Sequence, residues 1–430
     1  MKCLQGFCIA SFLFYWIVPV GIAQDRISVS GKNLIGPCGD TLLLKGINYA
    51  PYNWGWSPNQ LRINELAKTK ANCIRLVWYK TGETGTPNAT YANLVLLDST
   101  LARCVRFGLI PIVVLHDQTC QNSPAALTSL SSWFTQSSVL QLIIKYQHSL
   151  ILNLANEALY VNWTGNPVAS KAIFQNTYAG IIANLRAAGI HVPLMIDGPD
   201  CGTNLEVLAQ VGPSLLQIDP DSNLIFSAHA YWYSYAGNDS TQMAAKINLA
   251  LAANIPFVFG EVANQQDDVS ACQYNLNFKP LLRICKQKKI GWLAWSWDND
   301  ICPARQISNA GQFSSLSSYG QEMVYSPEFG LFNDSAAKSQ FLISGGCFST
   351  ESKNATLNEM IVYPNPNLGT FRLLNSVNQP IGIVNTVGLE IPFSARNESG
   401  SIEIKLENNI KPGLFLLLFE KGRWVKVQVL

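Results

Sequence analysis

Residues 149–157 read SLILNLANE, an apolar run that ends in an Asn-Glu pair, and the same pattern recurs along the chain. Near-continuous apolar strands that alternate with helix-length segments are typical of a parallel sheet covered on its outer face. Eight repeats predict an α/β fold, a (β/α)8 barrel, for this part of the chain. The eight runs are LLLKGINYA (42–50), CIRLVW (73–78), LIPIVVLHD (109–117), SLILNLANE (149–157), VPLMIDGP (192–199), LIFSAHAY (224–231), PFVFGEV (256–262) and GWLAWSW (291–297).

A doubly wound open sheet is the alternative arrangement for such a pattern. That fold commonly binds nucleotides through a GxGxxG turn after its first strand. The residues after the first run, NYAPYNWGW at 48–56, contain no such turn. The sequence therefore favours the closed barrel.

Polar residues gather where the apolar runs end. In a barrel the carboxyl ends of the strands carry the active site, so these side chains are expected to face one cleft. For Asp117 and Asp197 the alternative is a satisfied polar group of the core. The set is His116, Asp117, Asn156, Glu157, Asp197, His229, Tyr231, Glu261, Trp295 and Asp298.

Two of these residues, Glu157 and Glu261, suggest a specific chemistry. Cleavage of a glycosidic bond needs one carboxylic acid to protonate the leaving oxygen and one carboxylate to meet the developing oxocarbenium carbon. Two glutamates that end different strands of one barrel are able to converge in this way. The alternative is that each merely caps its strand or pairs with a cation.

Composition narrows the choice of partners. A formal net charge of +2, with 13% charged residues and no Lys/Arg block, argues against nucleic acid as a ligand. Eleven Trp and fifteen Tyr supply aromatic faces that either stack on sugar rings or fill the core. The four His lack HExxH spacing, so neither a zinc site nor a cofactor is predicted. We expect a monomer.

The N-terminus reads as a secretory signal peptide. Lys2 precedes an apolar run from Phe7 to Val20, and cleavage is expected after Ala23. A membrane anchor is the alternative, although the run is shorter than the roughly 20 residues that a spanning helix needs. Residues 1–23 are therefore assigned to the signal, and the protein is expected to be secreted or displayed at the cell surface.

Nine cysteines remain after the signal, and an odd number leaves at least one thiol unpaired. Cys272 with Cys302 and Cys38 with Cys347 are possible bridges, but the sequence does not decide the pairing.

The composition changes after Cys347. We assign residues 24–348 to the barrel, 349–357 to a polar linker and 358–430 to a small all-β domain of short strands separated by Pro, Gly and Asn turns.

The barrel residues resemble those of family 5 glycoside hydrolases, which are retaining β-1,4-glycanases on a (β/α)8 barrel. The strings VVLHDQT, LILNLANE, PLMIDGP, FSAHAYWYSYAG and GWLAWSWDND look like those of its bacterial β-mannanase branch, and cellulases of the family share the catalytic pair. The residues that carry the resemblance are Arg75, His116, Asn156, Glu157, His229, Tyr231, Glu261 and Trp295.

The resemblance implies that Glu157 is the acid/base and Glu261 the nucleophile. Arg75 and His229 are expected to hold Glu261 ionised, with Tyr231 donating to its free oxygen.

The remaining assignments concern substrate binding. Asn156 is expected to bind the sugar 2-OH, with His116 and Trp295 at the cleavage subsite. Further sugar subsites are predicted at four tryptophans in strand-end loops: Trp54, Trp56, Trp163 and Trp232.

The last 70 or so residues resemble the C-terminal sorting module of proteins exported by the type IX secretion system, through VYPNPNLGTF and PIGIVNTVGLEI. A small carbohydrate-binding β-sandwich is the alternative.

The sequence thus predicts a secreted endo-β-1,4-mannanase that acts on a β-linked polysaccharide and is exported through the type IX machinery. A cellulase is the second hypothesis, and a carbohydrate-binding barrel without catalysis is the third.

Overall fold

The computed structural model describes residues 26–51, 61–80, 93–231, 239–266 and 272–347, together with most of the strands between 361 and 429. The chain forms two compact units, Met1–Phe348 and Ser349–Leu430. The predicted signal peptide and linker lie outside the described residues. None of the described helices is both long and apolar enough to cross a membrane.

The first unit contains the predicted barrel. Eight parallel strands close on themselves in chain order, which confirms the (β/α)8 prediction. The strands are β4 (Lys45–Tyr49), β5 (Cys73–Trp78), β6 (Ile110–Leu115), β7 (Ile151–Asn153), β8 (Leu194–Asp197), β9 (Leu224–Ala230), β10 (Phe257–Val262) and β11 (Gly291–Ala294). A small antiparallel sheet precedes them: β1 (Ser28–Ser30), β2 (Asn33–Ile35) and β3 (Thr41–Leu42).

Helices pack around the barrel, and several begin at a capping side chain. Asn166 accepts the N–H of Ala169 and is followed by Pro167, whose missing N–H costs nothing at a helix start. The helices are α1 (Ile63–Ala67), α2 (Leu94–Arg106), α3 (Pro124–Ser131), α4 (Ser137–Lys145), α5 (Pro167–Ala187), α6 (Leu205–Ile218), α7 (Ser240–Ala252), α8 (Phe278–Lys288), α9 (Ser318–Tyr325) and α10 (Gln340–Ser344).

Strand alternation separates two layers of the core. On β5, Ile74 and Leu76 face the helices, while Cys73 belongs to a second cluster that fills the barrel interior. Arg75 shares the face of Cys73, so its side chain also enters the interior. The interior is therefore apolar at one end and polar at the other.

Three disulfides link the first unit. Cys38–Cys347 and Cys272–Cys302 are the two bridges that the sequence suggested, and Cys120–Cys201 is a third that it did not. Cys73, Cys104 and Cys285 are buried free thiols, which accounts for the odd count.

The second unit is all-β, as its turn-rich sequence indicates. Its apolar core lies on alternate residues of the strands, for example Phe371 with Leu373 and Phe415 with Leu417. One sheet has the order β12-β13-β16-β15 and the other β14-β17-β18. The strands are β12 (Ile361–Tyr363), β13 (Thr370–Leu374), β14 (Gly382–Asn385), β15 (Phe393–Glu398), β16 (Ser401–Leu406), β17 (Gly413–Leu418) and β18 (Trp424–Val429).

Candidate active site

A cleft of about 300 Å³ lies at the carboxyl end of the barrel strands. Both glutamates singled out by the sequence line it. The lining residues are His116, Thr119, Cys120, Asn156, Glu157, Cys201, Tyr231, Glu261, Trp295 and Arg305.

Arg75 organises the floor of the cleft from inside the barrel. All five of its N–H donors are used, and it is fully buried. Nη1 donates to Oε1 of Glu261 at 2.7 Å, and Nη2 donates to Oδ2 of Asp197 at 3.1 Å. The other three acceptors are the side-chain oxygens of Asn48, Asn153 and Asn156, at 3.0, 2.8 and 2.8 Å. The guanidinium therefore fixes the carboxylate of Glu261, one of the two glutamates of the cleft.

Glu261 reaches the cleft because β10 is irregular before it. The pairing of β10 with β9 shifts between Phe259 and Glu261, as in a β-bulge. Gly260 stands at the shift, and a Cβ there would lie 2.2 Å from Oγ of Ser227. Glycine at this position thus allows the strand to turn the Glu261 carboxylate toward Arg75.

Glu157 follows β7 in a left-handed conformation, with φ of 50°. Its Oε1 lies 2.6 Å from Nδ1 of His229, and its Oε2 lies 3.3 Å from Sγ of Cys120. Burial raises the pKa of the Glu157 carboxyl to about 7, and His229 offsets only part of this increase. The nearby charges of Glu261 and Asp197 also favour the protonated form.

His229 bridges the carboxylates from the opposite wall. Burial alone would lower its pKa, but Glu261 and Asp197 outweigh burial and raise the pKa to about 10, so the ring is protonated at neutral pH. The sequence predicted that His229 helps to hold Glu261 ionised, and the two side chains do form an ion pair, although Glu157 lies nearer to the imidazole. The short contact of Nδ1 is with Glu157, whereas Oε1 of Glu261 is 3.6 Å away.

Asp197 belongs to the same cluster as Glu157 and Glu261. Burial by itself would raise its pKa, but the charges of His229 and Arg75 hold the pKa well below its usual range. With Arg75 and His229 positive and Asp197 and Glu261 negative, the cluster is neutral only when Glu157 carries a proton. Electroneutrality therefore gives the two glutamates different protonation states.

The two glutamates are close enough to act on one bond. An oxygen of each carboxyl and a nitrogen of His229 all lie within 4.8 Å of one another. Three such atoms also resemble a metal-ligand set, but Oε1 of Glu261 accepts from Arg75, and Nδ1 of His229 is hydrogen-bonded to Oε1 of Glu157 at 2.6 Å. The donor set is thus already committed to hydrogen bonds.

Asn156 is oriented by two neighbours. Its Oδ1 accepts from Arg75, and its Nδ2 donates to Oγ1 of Thr119 at 3.1 Å. These two hydrogen bonds therefore fix the orientation of the Asn156 side chain at the cleft.

Aromatic rings form the remaining sides. His116 and Trp295 stack with ring centroids 6.2 Å apart, and the Trp295–Ser296 peptide bond is cis. Burial and the charge of Arg75 hold the pKa of His116 well below its usual range, and its buried Nε2 has no hydrogen-bond partner. Tyr231 also lines the cleft, and its predicted donation to Glu261 stays a prediction.

Sequence reasoning missed a buried ion pair at this site. Asp300 accepts from Nε1 of Trp295 at 2.5 Å, and it also accepts from Nε and Nη2 of Arg305 at 2.9 and 3.0 Å. Arg305 lies over the ring of Tyr231, 5.7 Å from its centroid. Asp300 thus fixes two walls of the cleft, and an acidic and a basic residue in one loop were the available signal.

Asn48 and Asn153 were missed as well. Each is an amide within a buried strand, and each accepts from Arg75. This pattern is the sequence signal for a buried polar partner.

Other predicted positions lie apart from this cleft. Asp117 accepts the N–H of Lys80, and the buried Asp298 carboxylate has no hydrogen-bond partner in the described part of the chain. Trp163 is about half exposed and does not line the cleft. Trp54, Trp56 and Trp232 lie outside the described residues.

Known proteins share this fold and sequence pattern. The family described as Cellulase (glycosyl hydrolase family 5) matches residues 37–301. A mannan endo-1,4-beta-mannosidase of Salipaludibacillus agaradhaerens is 26% identical over 270 residues, which are 63% of this chain and 80% of the relative. The beta-mannanase/endoglucanase A of Caldicellulosiruptor saccharolyticus is 27% identical over 273 residues, 60% of this chain and 18% of the relative.

A solved structure gives the same picture for the fold. The beta-mannanase from Streptomyces thermolilacinus superposes with a TM-score of 0.63 at 22% identity, covering 74% of this chain and 99% of that protein.

Proposed function

Because the chain belongs to glycosyl hydrolase family 5 and is therefore a glycoside hydrolase, we propose that it is an endo-β-1,4-mannanase that works by double displacement. The single observation that supports the mechanism is the convergence of the two glutamates in one cleft, where Arg75 donates to Glu261 at 2.7 Å and burial raises the pKa of Glu157 to about 7. The relatives named as mannan endo-1,4-beta-mannosidases support the substrate.

In the first step Glu261 is the nucleophile and Glu157 the acid. An oxygen of Glu261 attacks the anomeric carbon and forms a glycosyl ester. The bond to the leaving oxygen breaks, and that oxygen keeps the electron pair and takes the proton of Glu157. Carboxyl groups that use this mechanism lie roughly 5–5.5 Å apart, whereas inverting pairs are wider. Oxygens within 4.8 Å of each other favour the double displacement.

In the second step the same residues exchange roles. Glu157, now ionised, takes a proton from a water molecule, and the resulting hydroxide attacks the anomeric carbon. The ester to Glu261 breaks, the carboxylate returns to Arg75, and Glu157 is protonated again. The product keeps the anomeric configuration of the substrate.

The other cleft residues bind the sugar at the cleavage point. Asn156 lines the cleft, and Nδ2 has a second N–H beside the one that it donates to Thr119. We propose that this N–H donates to the hydroxyl beside the anomeric carbon, in a contact that strengthens in the transition state and so contributes to the rate. The unpaired Nε2 of the neutral His116 offers a second polar contact. Trp295 supplies an apolar face held in place by Asp300.

Cellulose or another β-glucan is the second candidate substrate. The observation that favours it is the relative named beta-mannanase/endoglucanase A, since one family serves both polymers. A barrel that binds sugar without cleaving it is disfavoured, because both carboxyl groups are present and converge.

We also propose that the protein is exported. The apolar run after Lys2 supports a signal peptide, and the separate all-β unit from Ser349 to Leu430 fits a sorting module for type IX secretion. Fractionation of cells that express the full chain, with and without residues 349–430, tests this. Export that is unaffected by the deletion would contradict the sorting role.

The substrate is tested by reducing-sugar release from β-mannan and from carboxymethyl-cellulose by the full chain, with Glu261→Gln as the inactive control. We expect cleavage of mannan that is lost in the variant. Cleavage of the glucan alone would overturn the substrate and keep the mechanism, whereas equal activity of the variant would remove Glu261 from the mechanism.

A further inference from the structure

One wall of the cleft is a disulfide. Cys120 and Cys201 join the segment after β6 to the segment after β8, and both line the cleft. Sγ of Cys120 lies 3.3 Å from Oε2 of Glu157. A disulfide sulfur carries no hydrogen and is a weak acceptor, so the contact is essentially apolar.

The two oxygens of Glu157 therefore have different surroundings. Oε1 receives the proton of Nδ1 of His229 at 2.6 Å. For Oε2 the sulfur is the one close polar-atom contact among the described residues. Because His229 donates to Oε1, the proton of the carboxylic acid belongs on Oε2, the oxygen that faces the disulfide and the cleft.

The segment that carries Cys201 packs directly on the acid and its partner. The carbonyl of Gly202 accepts the N–H of His229 at 2.8 Å. A Cβ at Gly202 would lie 2.7 Å from Nδ1 of His229 and 3.0 Å from Cγ of Glu157, and its φ is +75°. A small displacement of this segment would thus be transmitted to the Glu157 carboxyl.

The backbone on this side of the cleft is held in an unusual conformation. Cys120, Glu157, Asp200 and Cys201 all have left-handed φ, between 50° and 58°. Such conformations persist in non-glycine residues where the surrounding structure fixes them. Besides the disulfide, the carboxylate of Asp200 accepts the N–H groups of residues 161–163 at 2.8–3.2 Å.

We propose that the Cys120–Cys201 disulfide is a positioning element for the acid: it holds the Glu157 carboxyl in the orientation that directs the Oε2 proton toward the leaving oxygen. The inference deepens the proposed function and rests on it. In that reaction the proton matters most for a sugar leaving group, which departs as a strong base unless it is protonated.

The test compares two substrates on the full chain and on the Cys120→Ala/Cys201→Ala variant. Mannohexaose has a sugar leaving group that needs the proton, and dinitrophenyl β-mannobioside has a phenolate that does not. We expect kcat/KM on mannohexaose to fall about tenfold or more, and kcat/KM on the aryl glycoside to change less than threefold, because kcat/KM reports the first step, in which the leaving group departs. Glu157→Gln is expected to show the same selectivity with a larger loss.

A general loosening of the fold would lower both activities together. Equal losses on the two substrates, or no loss on either, would therefore overturn the proposal. The matched control is Cys38→Ala/Cys347→Ala, which removes a disulfide that does not line the cleft. It is expected to lower the unfolding temperature without changing the ratio of the two activities, and an equal change in that ratio would contradict the assignment.

Two further readouts separate the possible failures. Peptide mapping without reduction is expected to recover Cys120 and Cys201 in one linked peptide, and free thiols there would overturn the proposal. If the unmodified chain cleaves neither mannoside, the proposed substrate fails. The unmodified chain and the disulfide variant are then compared on a cello-oligosaccharide and an aryl β-cellobioside. A loss confined to the oligosaccharide would support the proposed role of the disulfide, and equal losses or no loss would overturn it.

Discussion

Two buried arginines use the same set of donors for different purposes. Arg186, at the end of α5, donates from Nε and Nη2 to the two oxygens of Asp219 at 2.8 and 2.9 Å. Its other donors go to the main-chain carbonyls of Ile190, Val192 and Asn223. Arg75 also uses all five donors, but it meets Glu261 and Asp197 together with three asparagines.

The difference lies in what surrounds each guanidinium. Arg186 has one fully buried carboxylate and fixed carbonyl dipoles, while the second acid beside it, Asp221, is partly exposed. Arg75 stands among three buried carboxyl groups and one imidazole, and their charges balance only if one proton is placed on Glu157. A buried ion pair with one protonation state stabilises structure, whereas a buried cluster that must share protons is suited to catalysis.

The largest expected effect comes from replacing each of the two arginines with lysine. Lysine keeps the positive charge but lacks the planar guanidinium and its fixed N–H donors. For Arg75→Lys we expect kcat/KM to fall about 10³-fold, because the Glu261 carboxylate loses its oriented partner. For Arg186→Lys we expect unchanged kcat/KM and lower stability to urea. Similar kinetics for both variants would contradict the comparison.

A second effect concerns Asp219, the partner of Arg186. Burial opposes its ionisation, but Arg186 outweighs burial and lowers the pKa of Asp219. Asp219→Asn removes the one fully buried carboxylate beside Arg186, leaves only the partly exposed Asp221, and is expected to cost about 3 kcal/mol of unfolding free energy.

The pH dependence of that cost follows from the lowered pKa. The Asp219–Arg186 pair stabilises the fold fully above the pKa that an Asp has in the unfolded chain. This stabilisation is lost as the pH falls through the lowered pKa of Asp219 in the folded protein. Urea unfolding of both proteins at several pH values measures it. If the difference in unfolding free energy between the unmodified chain and Asp219→Asn grew toward acid pH, the account would be contradicted.

A third effect concerns the descending limb of the pH–rate profile. Activity needs protonated Glu157, so kcat/KM is expected to fall as the pH rises through its pKa of about 7. In Asp197→Asn a negative neighbour is removed, so the proton leaves Glu157 more easily and the limb is expected to move to lower pH, by about one unit. Asp219→Asn is the control, and a shift of the limb in that variant would show that the effect is not local.

The smallest expected effect is that of an exposed ion pair. Nζ of Lys246 lies 2.6 Å from Oε1 of Glu206, and both side chains are partly exposed. Because solvent screens such pairs, Lys246→Met is expected to change the unfolding free energy by about 0.5 kcal/mol and leave kcat/KM unchanged. A loss as large as that of Asp219→Asn would mean that burial is not what distinguishes these pairs.

The barrel could be predicted from the sequence because its strands are apolar runs, most of which end at polar residues. The sequence was also sufficient to predict the strand-end residues that line the cleft, such as Glu157 and Trp295. The shorter contact of His229, which is with Glu157, was not predicted, because side-chain packing across the cleft decides which of two glutamates 104 positions apart in the chain lies nearer.

Three features of the site depend on information that one sequence does not hold. The bulge at Gly260 is an offset between neighbouring strands, which a glycine permits but does not require. The Cys120–Cys201 bridge is one of many pairings of nine cysteines. The contact of Asp300 with Trp295 and Arg305 depends on how one loop folds back on β11.

The most direct test of the central claim is to trap the glycosyl ester. A dinitrophenyl 2-deoxy-2-fluoro-β-mannobioside has a leaving group that departs without a proton, and its fluorine slows hydrolysis of the intermediate. Mass spectrometry of the digested protein is expected to find the fluorosugar on the peptide that contains Glu261, and none in Glu261→Gln. A label on Glu157, or turnover with inverted anomeric configuration and no label, would contradict the account.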